Sequence, residues 1–246
     1  MLKKNIIPLF SATLLIVFAF GGCQKTDTAP ATNVITDYYP LQLGKYITYK
    51  LDSTVFINLS TQKAVRSYIV QDFVDAEITD NLGNPGFRIR RMMRSKADTT
   101  KWFDNATFIV VPSKRNIQFT ENNLKFIKLV NPVTDLNTWA GNSYINTDDN
   151  FLRFYENWEY FYENIGQPFT ANNVTFDETI TVNQSDLVNG DPSNKNFFYA
   201  ITKSSEVYAK GVGLIYKDFL YEAWQPSTQN YEANSYGIKL TILNHN

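Results

Sequence analysis

The chain has 246 residues, of which 43% are hydrophobic, 15% are aromatic and 19% are charged. This apolar content is too high for a disordered chain, and the length is sufficient for one large β domain. The formal net charge is −1 at pH 7. A near-neutral chain lacks the basic surface that nucleic-acid-binding proteins use, so we expect no nucleic-acid partner.

Residues 1–22 have the layout of a secretory signal peptide. Lys3 and Lys4 give the segment a positively charged start. The uncharged stretch 6–20 that follows is shorter than the ~20 residues that a membrane-spanning helix needs. We therefore predict that residues 1–22 are a signal peptide that is removed from the mature protein.

Cys23 is the only cysteine of the chain, and it directly follows the small residues Gly21 and Gly22. The segment Phe20-Gly21-Gly22-Cys23 resembles a bacterial lipobox. In proteins with a lipobox, the peptide before the cysteine is removed and the cysteine is acylated. The resemblance implies cleavage between Gly22 and Cys23 and a lipid on Cys23. Two or three acyl chains anchor a protein stably, since each buried methylene contributes ~0.8 kcal/mol.

The chain after Cys23 is polar and contains Pro30, as is typical of a flexible linker. We predict that residues 23–37 form a tether. No internal repeat and no second linker follow it, so we predict that residues 38–246 form a single β-rich domain.

The cysteine and histidine content limits the chemistry of the chain. An acylated Cys23 leaves no thiol for a disulfide, a metal site or a nucleophile. His245 is the only histidine, which excludes Ser–His–Asp hydrolysis and histidine-rich zinc sites. We therefore expect no catalytic residue, no metal and no cofactor, and we expect that the protein is not an enzyme.

From Tyr38 onward, short runs of Tyr, Phe, Ile, Val and Thr are separated by clusters of Asn, Asp, Gly and Pro. This pattern is typical of β-strands and turns. About ten strands at hairpin spacing, without a βαβ rhythm or a long amphipathic helix, predict an all-β fold. We expect a mainly antiparallel sheet, curled into a barrel, a half-barrel or a sandwich, with few or short helices.

Two hairpins are predicted in the middle of the chain. One covers residues 102–111 and turns at Asp104-Asn105, and the other covers residues 117–130 and turns at residues 121–123. Polar Asp and Asn residues between apolar runs are typical of tight turns.

Two segments leave alternatives open. The aromatic segment 151–165 fits both a helical stripe and a strand face, and its aromatic content favours a strand. In the strand predicted at 87–94, alternation places Arg91 on the apolar face, and Arg88, Arg90 and Arg94 on the other. That arginine face is interpreted as a solvated surface, with an anion or partner surface as the alternative.

Three stretches together suggest a family. They are YYPLQLGKYITY at 38–49, YAKGVGLI at 208–215 and the lipobox. Together they resemble cell-envelope lipoproteins of Bacteroidota that open with an aromatic-Pro segment followed by Gly and close with a Gly-Val-Gly strand. The resemblance implies an all-β fold and lipid anchoring in the cell envelope. We expect the outer membrane, on either its periplasmic or its surface face.

Aromatic side chains are the candidate binding groups, because rings stack on sugar faces or line cavities for acyl chains. The candidates are Trp139, Tyr155, Trp158, Tyr160, Tyr162, Tyr221 and Trp224. We predict a lipid-anchored binding protein that holds an apolar ligand or a glycan on an aromatic-lined sheet. A non-catalytic structural or interaction subunit of an envelope complex is the alternative, and a carbohydrate-active enzyme is a distant one. The expected partners are the membrane, through the acyl chains, and a lipid, a glycan or an envelope protein.

Overall fold

The computed structural model describes residues 34–95, 98 and 100–246. One short α-helix, one 3-10 helix and thirteen strands are formed among them. The helices are α1 (Ile35–Tyr38) and the 3-10 helix Arg153–Tyr155. The strands are β1 (Tyr46–Ile57), β2 (Gln62–Thr79), β3 (Pro85–Ser95), β4 (Phe103–Pro112), β5 (Asn116–Glu121), β6 (Leu124–Val130), β7 (Thr138–Trp139), β8 (Tyr160–Ala171), β9 (Val174–Asn189), β10 (Tyr199–Ala209), β11 (Gly213–Gln225), β12 (Asn230–Tyr231) and β13 (Tyr236–His245).

The predicted signal peptide 1–22, with the cleavage residue Gly22 and the lipid-attachment residue Cys23, lies outside the described residues. Both assignments therefore stay predictions. Among the residues that the structure does describe, no helix is both long and apolar enough to cross a bilayer.

The sheet is one antiparallel meander. Its strand order is β6-β5-β4-β3-β2-β1-β13-β11-β10-β9-β8-β7, and β12 pairs separately with β11. The first and last strands of the chain pair in the middle of this order, where Leu51 lies opposite Leu240. The two edges of the sheet are therefore β6 and β7, which are neighbours in the sequence.

These two edges meet and nearly close the sheet into a barrel. The backbone N–H of Ile127 in β6 donates to the carbonyl of Gly141, just after β7, at 2.8 Å. A Cβ at Gly141 would lie 2.3 Å from the ring of Tyr160, so glycine is required for this close approach. The predicted all-β class and the mainly antiparallel, curled sheet are confirmed, and of the three predicted forms the structure has the barrel.

Helix α1 packs against the barrel at the end where β10 connects to β11. Ile35 and Tyr38 are fully buried in the main apolar core. The N–H of Gly211, in the β10–β11 connection, donates to the carbonyl of Asp37 at 2.7 Å. Residues 35–37 are therefore part of the packed domain rather than of the predicted tether 23–37, because the helix buries apolar surface that a tether would leave in water.

The predicted hairpins have different outcomes. The hairpin that turns at residues 121–123 is confirmed, because β5 and β6 join through Asn122 and Asn123, both with the positive φ that this tight turn requires. The hairpin at 102–111 is wrong, since β4 runs through that range as one continuous strand. Asn105 is skipped in the pairing with β3, so the polar pair marks a bulge instead of a turn.

The segment 151–165 is neither one helix nor one strand. It begins with the 3-10 helix Arg153–Tyr155 and becomes a strand only at Tyr160. The preference for a strand is therefore correct for the second part alone. The first part is irregular and lies at the surface, with the rings of Tyr155 and Trp158 buried in the core.

Candidate functional site

The interior of the barrel contains a cavity of about 480 Å³. This volume falls within the ~300–1,000 Å³ range of small-molecule sites. Asn105 and Asn122 both line the cavity and are exposed, so they mark its mouth. The wall is incomplete there, since β5 pairs only with the Ile109–Pro112 part of β4.

Three of the seven candidate aromatic residues line this cavity: Tyr155, Trp158 and Tyr160. Their rings follow one another, with centroids 5.1 Å apart for Tyr155 and Trp158 and 6.3 Å apart for Trp158 and Tyr160. Tyr160 donates a hydrogen bond to the Oδ1 of buried Asn142 at 2.7 Å, and Asn142 in turn donates to the carbonyl of Tyr155. These bonds fix the rings as a rigid part of the wall.

Two further candidates, Trp139 and Tyr162, lie at the seam of the barrel and do not line the cavity. The indole N–H of Trp139 donates to the carbonyl of Ile127 at 2.8 Å. The hydroxyl of Tyr162 donates to the carbonyl of Val130 at 2.7 Å and accepts from the N–H of Val130 at 2.8 Å. Both side chains thus satisfy backbone groups of the edge strand β6.

The last two candidates, Tyr221 and Trp224, also lie outside the cavity lining. Tyr221 stacks on Phe154 with centroids 4.3 Å apart. Trp224 belongs to a separate small core, where its indole N–H donates to the carbonyl of Lys195 at 2.9 Å. The cation of Lys195 also lies over the ring of Trp224. Neither ring is placed to contact a ligand in the cavity.

A charged network crosses the cavity wall between β6, β10 and β11. The ammonium of Lys128 donates to Oε1 of Glu206 at 2.7 Å, and both side chains are buried. The other oxygen of Glu206 accepts from the hydroxyl of Tyr208 at 2.6 Å and from the amide of Gln184 at 3.0 Å. Gln184 is itself held by Ser204, whose hydroxyl donates to its Oε1 at 2.5 Å. The carboxylate of Glu206 is thus fully hydrogen-bonded.

The environment of Glu206 keeps this carboxyl ionised. Burial by itself raises its pKa, but the cations of Lys128 and Lys217 outweigh burial and lower the pKa to about 2. The pKa of Lys128 is lowered by burial and by the nearby Lys217, and Glu206 opposes that change.

Lys217 and Glu121 complete the network next to this pair. The ammonium of Lys217 lies 3.7 Å from Oε1 of Glu121 and 3.5 Å from Oε1 of Glu206. Burial by itself would raise the pKa of Glu121. The nearby cations Lys217, Lys128 and Arg91 lower it by more, so the net shift of the pKa is downward. Both Lys217 and Glu121 line the cavity and remain charged at neutral pH.

A second ion pair lines the cavity from β2 and β3. The guanidinium of Arg91 donates to both oxygens of Asp72, at 2.6 and 2.7 Å, and lies 4.8 Å from the ring centre of Phe108. Such two-pronged pairs are stronger and more directional than single contacts. Burial opposes the charge of Arg91, but the nearby Asp72 more than compensates and raises its pKa.

β-Bulges place three of the polar residues. Strand pairing skips Asn105 in β4, Lys128 in β6 and Gln184 in β9, and each of the three side chains lines the cavity. A bulge inserts one extra residue and re-aims a side chain relative to its neighbours. The polar lining is therefore built into the backbone rather than added at regular strand positions.

Each carboxylate of the cavity faces a cation: Asp72 faces Arg91, Glu206 faces Lys128, and Glu121 faces Lys217. The pKa values of Glu121 and Glu206 are both lowered by the nearby cations, so both carboxyls are ionised at neutral pH. In the described part of the chain, no group of three or more His, Cys, Asp and Glu side chains is arranged for a metal ion.

Sequence reasoning missed the charged residues of the cavity. Of these residues, only Arg91 could be placed in the interior from the sequence, because alternation puts it on the same strand face as Ile89. Lys128 and Gln184 follow no alternation, since both occupy bulges. Glu206 lies in the polar run 203–206, which interrupts the apolar pattern of β10 and resembles a loop.

Comparisons with known proteins give little guidance. No family model matches the chain, and no curated protein matches it. One solved structure, a Bacteroides fragilis protein inferred to be exported and described as having a YmcC-like fold, is similar to 83% of this chain and 98% of its own length. Its sequence identity is 11% and the TM-score is 0.37, values too low to support an assignment.

Proposed function

We propose that this chain is a lipid-anchored protein of the cell envelope that binds a small ligand inside its barrel and catalyses no reaction. The observation that carries the proposal is the cavity of about 480 Å³, with aromatic rings and charged groups in one wall and an incomplete wall at Asn105 and Asn122. A large cavity with a few convergent polar groups is the usual form of a ligand site.

Native mass spectrometry tests the binding. The mature protein, with its anchor, is purified from its own cell envelope in a polyoxyethylene detergent. We expect a discrete additional mass that is lost on denaturation. The proposal would be overturned by two results together: only the mass of the ligand-free protein is detected, and none of the saccharide, fatty-acid and zwitterion probes described below binds.

The lipid anchor is tested separately. Acylation of Cys23 predicts an intact mass that exceeds that of chain 23–246 by the mass of the acyl groups. The variant Cys23→Ser is expected to show no acyl mass. An intact mass of the unchanged protein that equals that of chain 23–246 without any acyl addition would contradict lipid anchoring.

A structural or interaction subunit is the second candidate. Four large apolar side chains near the β9–β10 connection are exposed, with fractions between 40% and 67%. They are Leu187, Val188, Phe197 and Phe198. Exposed apolar groups near one another are typical of protein contact surfaces. A protein cross-linked to this region in intact envelopes, combined with an empty cavity, would favour this candidate over ligand binding.

A further inference from the structure

The charged groups that line the cavity are mostly paired within the wall. Three cations, Arg91, Lys128 and Lys217, are matched by three carboxylates, Asp72, Glu121 and Glu206. The fourth cation, Lys45, donates to the backbone carbonyls of Gly211 and Asn246, each at 3.2 Å.

Glu121 and Lys217 differ from the other charged groups of the lining. In the part of the chain that the structure describes, neither side chain makes a hydrogen bond. The two form a 3.7 Å ion pair, and Lys217 also lies 3.5 Å from Oε1 of Glu206. The side chain of Lys217 is 16% exposed and that of Glu121 is 25% exposed, although both face the interior. A carboxylate with free acceptor sites and an ammonium with free donors thus lie side by side on the cavity surface.

Each class of ligand meets this pair differently. An apolar chain would take both charged groups out of water without replacing their hydrogen bonds, which is costly. An anion would approach Glu121 as closely as Lys217. A hydroxyl group can donate to Glu121, and an adjacent hydroxyl can accept from Lys217. Neighbouring hydroxyl groups therefore match the pair without adding a charge.

Apolar surface lies directly beside the pair. Lys217 and Phe219 are two residues apart on β11, and both line the cavity. The ring of Phe219 lies 4.7 Å from the ring of Tyr236, centre to centre, and the hydroxyl of Tyr236 lies 3.2 Å from that of Tyr155. Tyr236 is 37% exposed. A flat ligand with polar edges and an apolar face would contact both kinds of surface.

We propose that the ligand is a small neutral saccharide whose neighbouring hydroxyl groups bind Glu121 and Lys217 and whose ring lies against Tyr236 and Phe219. The inference rests on the proposed binding function and names the ligand class for the same cavity. It excludes an acyl chain and a charged metabolite as the main ligand.

Saturation-transfer NMR on the full-length chain in a polyoxyethylene detergent tests the inference. The probes are maltose, cellobiose and lactose, with octanoate as the acyl probe and glycine betaine as the zwitterionic probe. We expect binding of at least one disaccharide. The variants Glu121→Gln and Lys217→Met should each weaken that binding by at least ~10-fold, the effect of losing one hydrogen bond to a charged group.

Two further variants keep the test interpretable. Lys203→Met removes an exposed cation of β10 whose partner Asp186 is also exposed, and it should leave binding unchanged. Lys217→Arg keeps the positive charge if Lys217→Met fails to fold, and it should retain part of the affinity.

The outcomes separate the inference from the proposed function. If octanoate or glycine betaine binds the unchanged chain and no disaccharide does, the saccharide assignment is wrong while binding in the cavity stands. Disaccharide binding that is unaffected in both the Glu121 and the Lys217 variants would also overturn it. If no probe binds and no ligand copurifies, the proposed function fails together with the inference.

Discussion

Two neighbouring parts of β3 show how differently the same residue type behaves on the two faces of the barrel. Arg91 points inward, is 12% exposed and is held by both oxygens of Asp72. Arg88 points outward, is 46% exposed and is also held by both oxygens of its partner, Asp75. The geometry of the two pairs is nearly the same. The difference is the exposure of the two arginines, so we expect the inner pair to affect stability and the outer pair to affect it little.

The largest effect is expected at Lys128, the most deeply buried cation among the residues that the structure describes. Lys128→Met leaves Glu206 in the interior without its closest partner, and we expect the free energy of unfolding to fall by ~3–5 kcal/mol. Urea denaturation followed by tryptophan fluorescence measures this change. The double variant Lys128→Met/Glu206→Gln removes both charges and should regain part of the lost stability. A double variant that is less stable than Lys128→Met would contradict the ion-pair explanation.

The next largest effect is expected on how the free energy of unfolding depends on pH. The pKa of Glu206 is lowered from 4.5 to about 2 in the folded protein, mainly because Lys128 and Lys217 outweigh the burial. A carboxyl with a lowered pKa contributes stability above its unfolded value and loses it as the pH falls through the folded value. The free energy of unfolding should therefore decrease between about pH 4.5 and pH 2. Glu206→Gln should flatten this decrease, and an equally steep decrease in the variant would count against the assignment.

A smaller effect is expected at the seam. Tyr162→Phe removes the hydroxyl that bonds both backbone groups of Val130, which leaves a partly buried N–H without a partner. We expect a loss of ~1–3 kcal/mol in the free energy of unfolding. Tyr144→Phe, at an exposed tyrosine, is the matched control. If Tyr162→Phe and Tyr144→Phe have equal urea midpoints, the stability of the seam does not depend on the hydroxyl of Tyr162.

The smallest effect is expected on the outer face of β3. Arg88→Met removes a solvent-exposed cation, and we expect the urea midpoint to stay within error of the unchanged chain. Arg91→Met should lower the midpoint clearly under the same conditions, because Asp72 would lose its partner in the interior. Similar midpoints for the two variants would contradict the contrast between the two faces.

The fold class follows from the sequence because turn residues and β-branched or aromatic residues report local structure reliably. The hairpin at Asn122-Asn123 is of this kind, since both residues tolerate positive φ. The error at Asp104-Asn105 has a definite cause. Asn residues also suit bulges, and only the partner strand decides between a turn and a bulge.

The candidate site is less predictable because it breaks the rule that interior residues are apolar. From the sequence, Lys128 and Glu206 would be predicted at the surface. They can be buried because each supplies the opposite charge that the other requires. The aromatic candidates were chosen for their chemistry, whereas the fold decides which of them face the cavity. The indole of Trp139 is hydrogen-bonded to the backbone at the seam, whereas Tyr160 forms part of the cavity wall.

The position of the seam has a consequence for how the barrel assembles. Strands β1–β6 and β7–β13 form two series of pairings that are each local in sequence, although β12 lies outside the main strand order. They join through β1 and β13, where the N–H of Tyr46 donates to the side chain of Asn246, 200 residues away. Loop closure over such a separation is slow, so each series should acquire its hairpins before the two join. The same geometry makes the chain suited to circular permutation, with a new opening in the loop 131–137 and a short linker between residues 246 and 34.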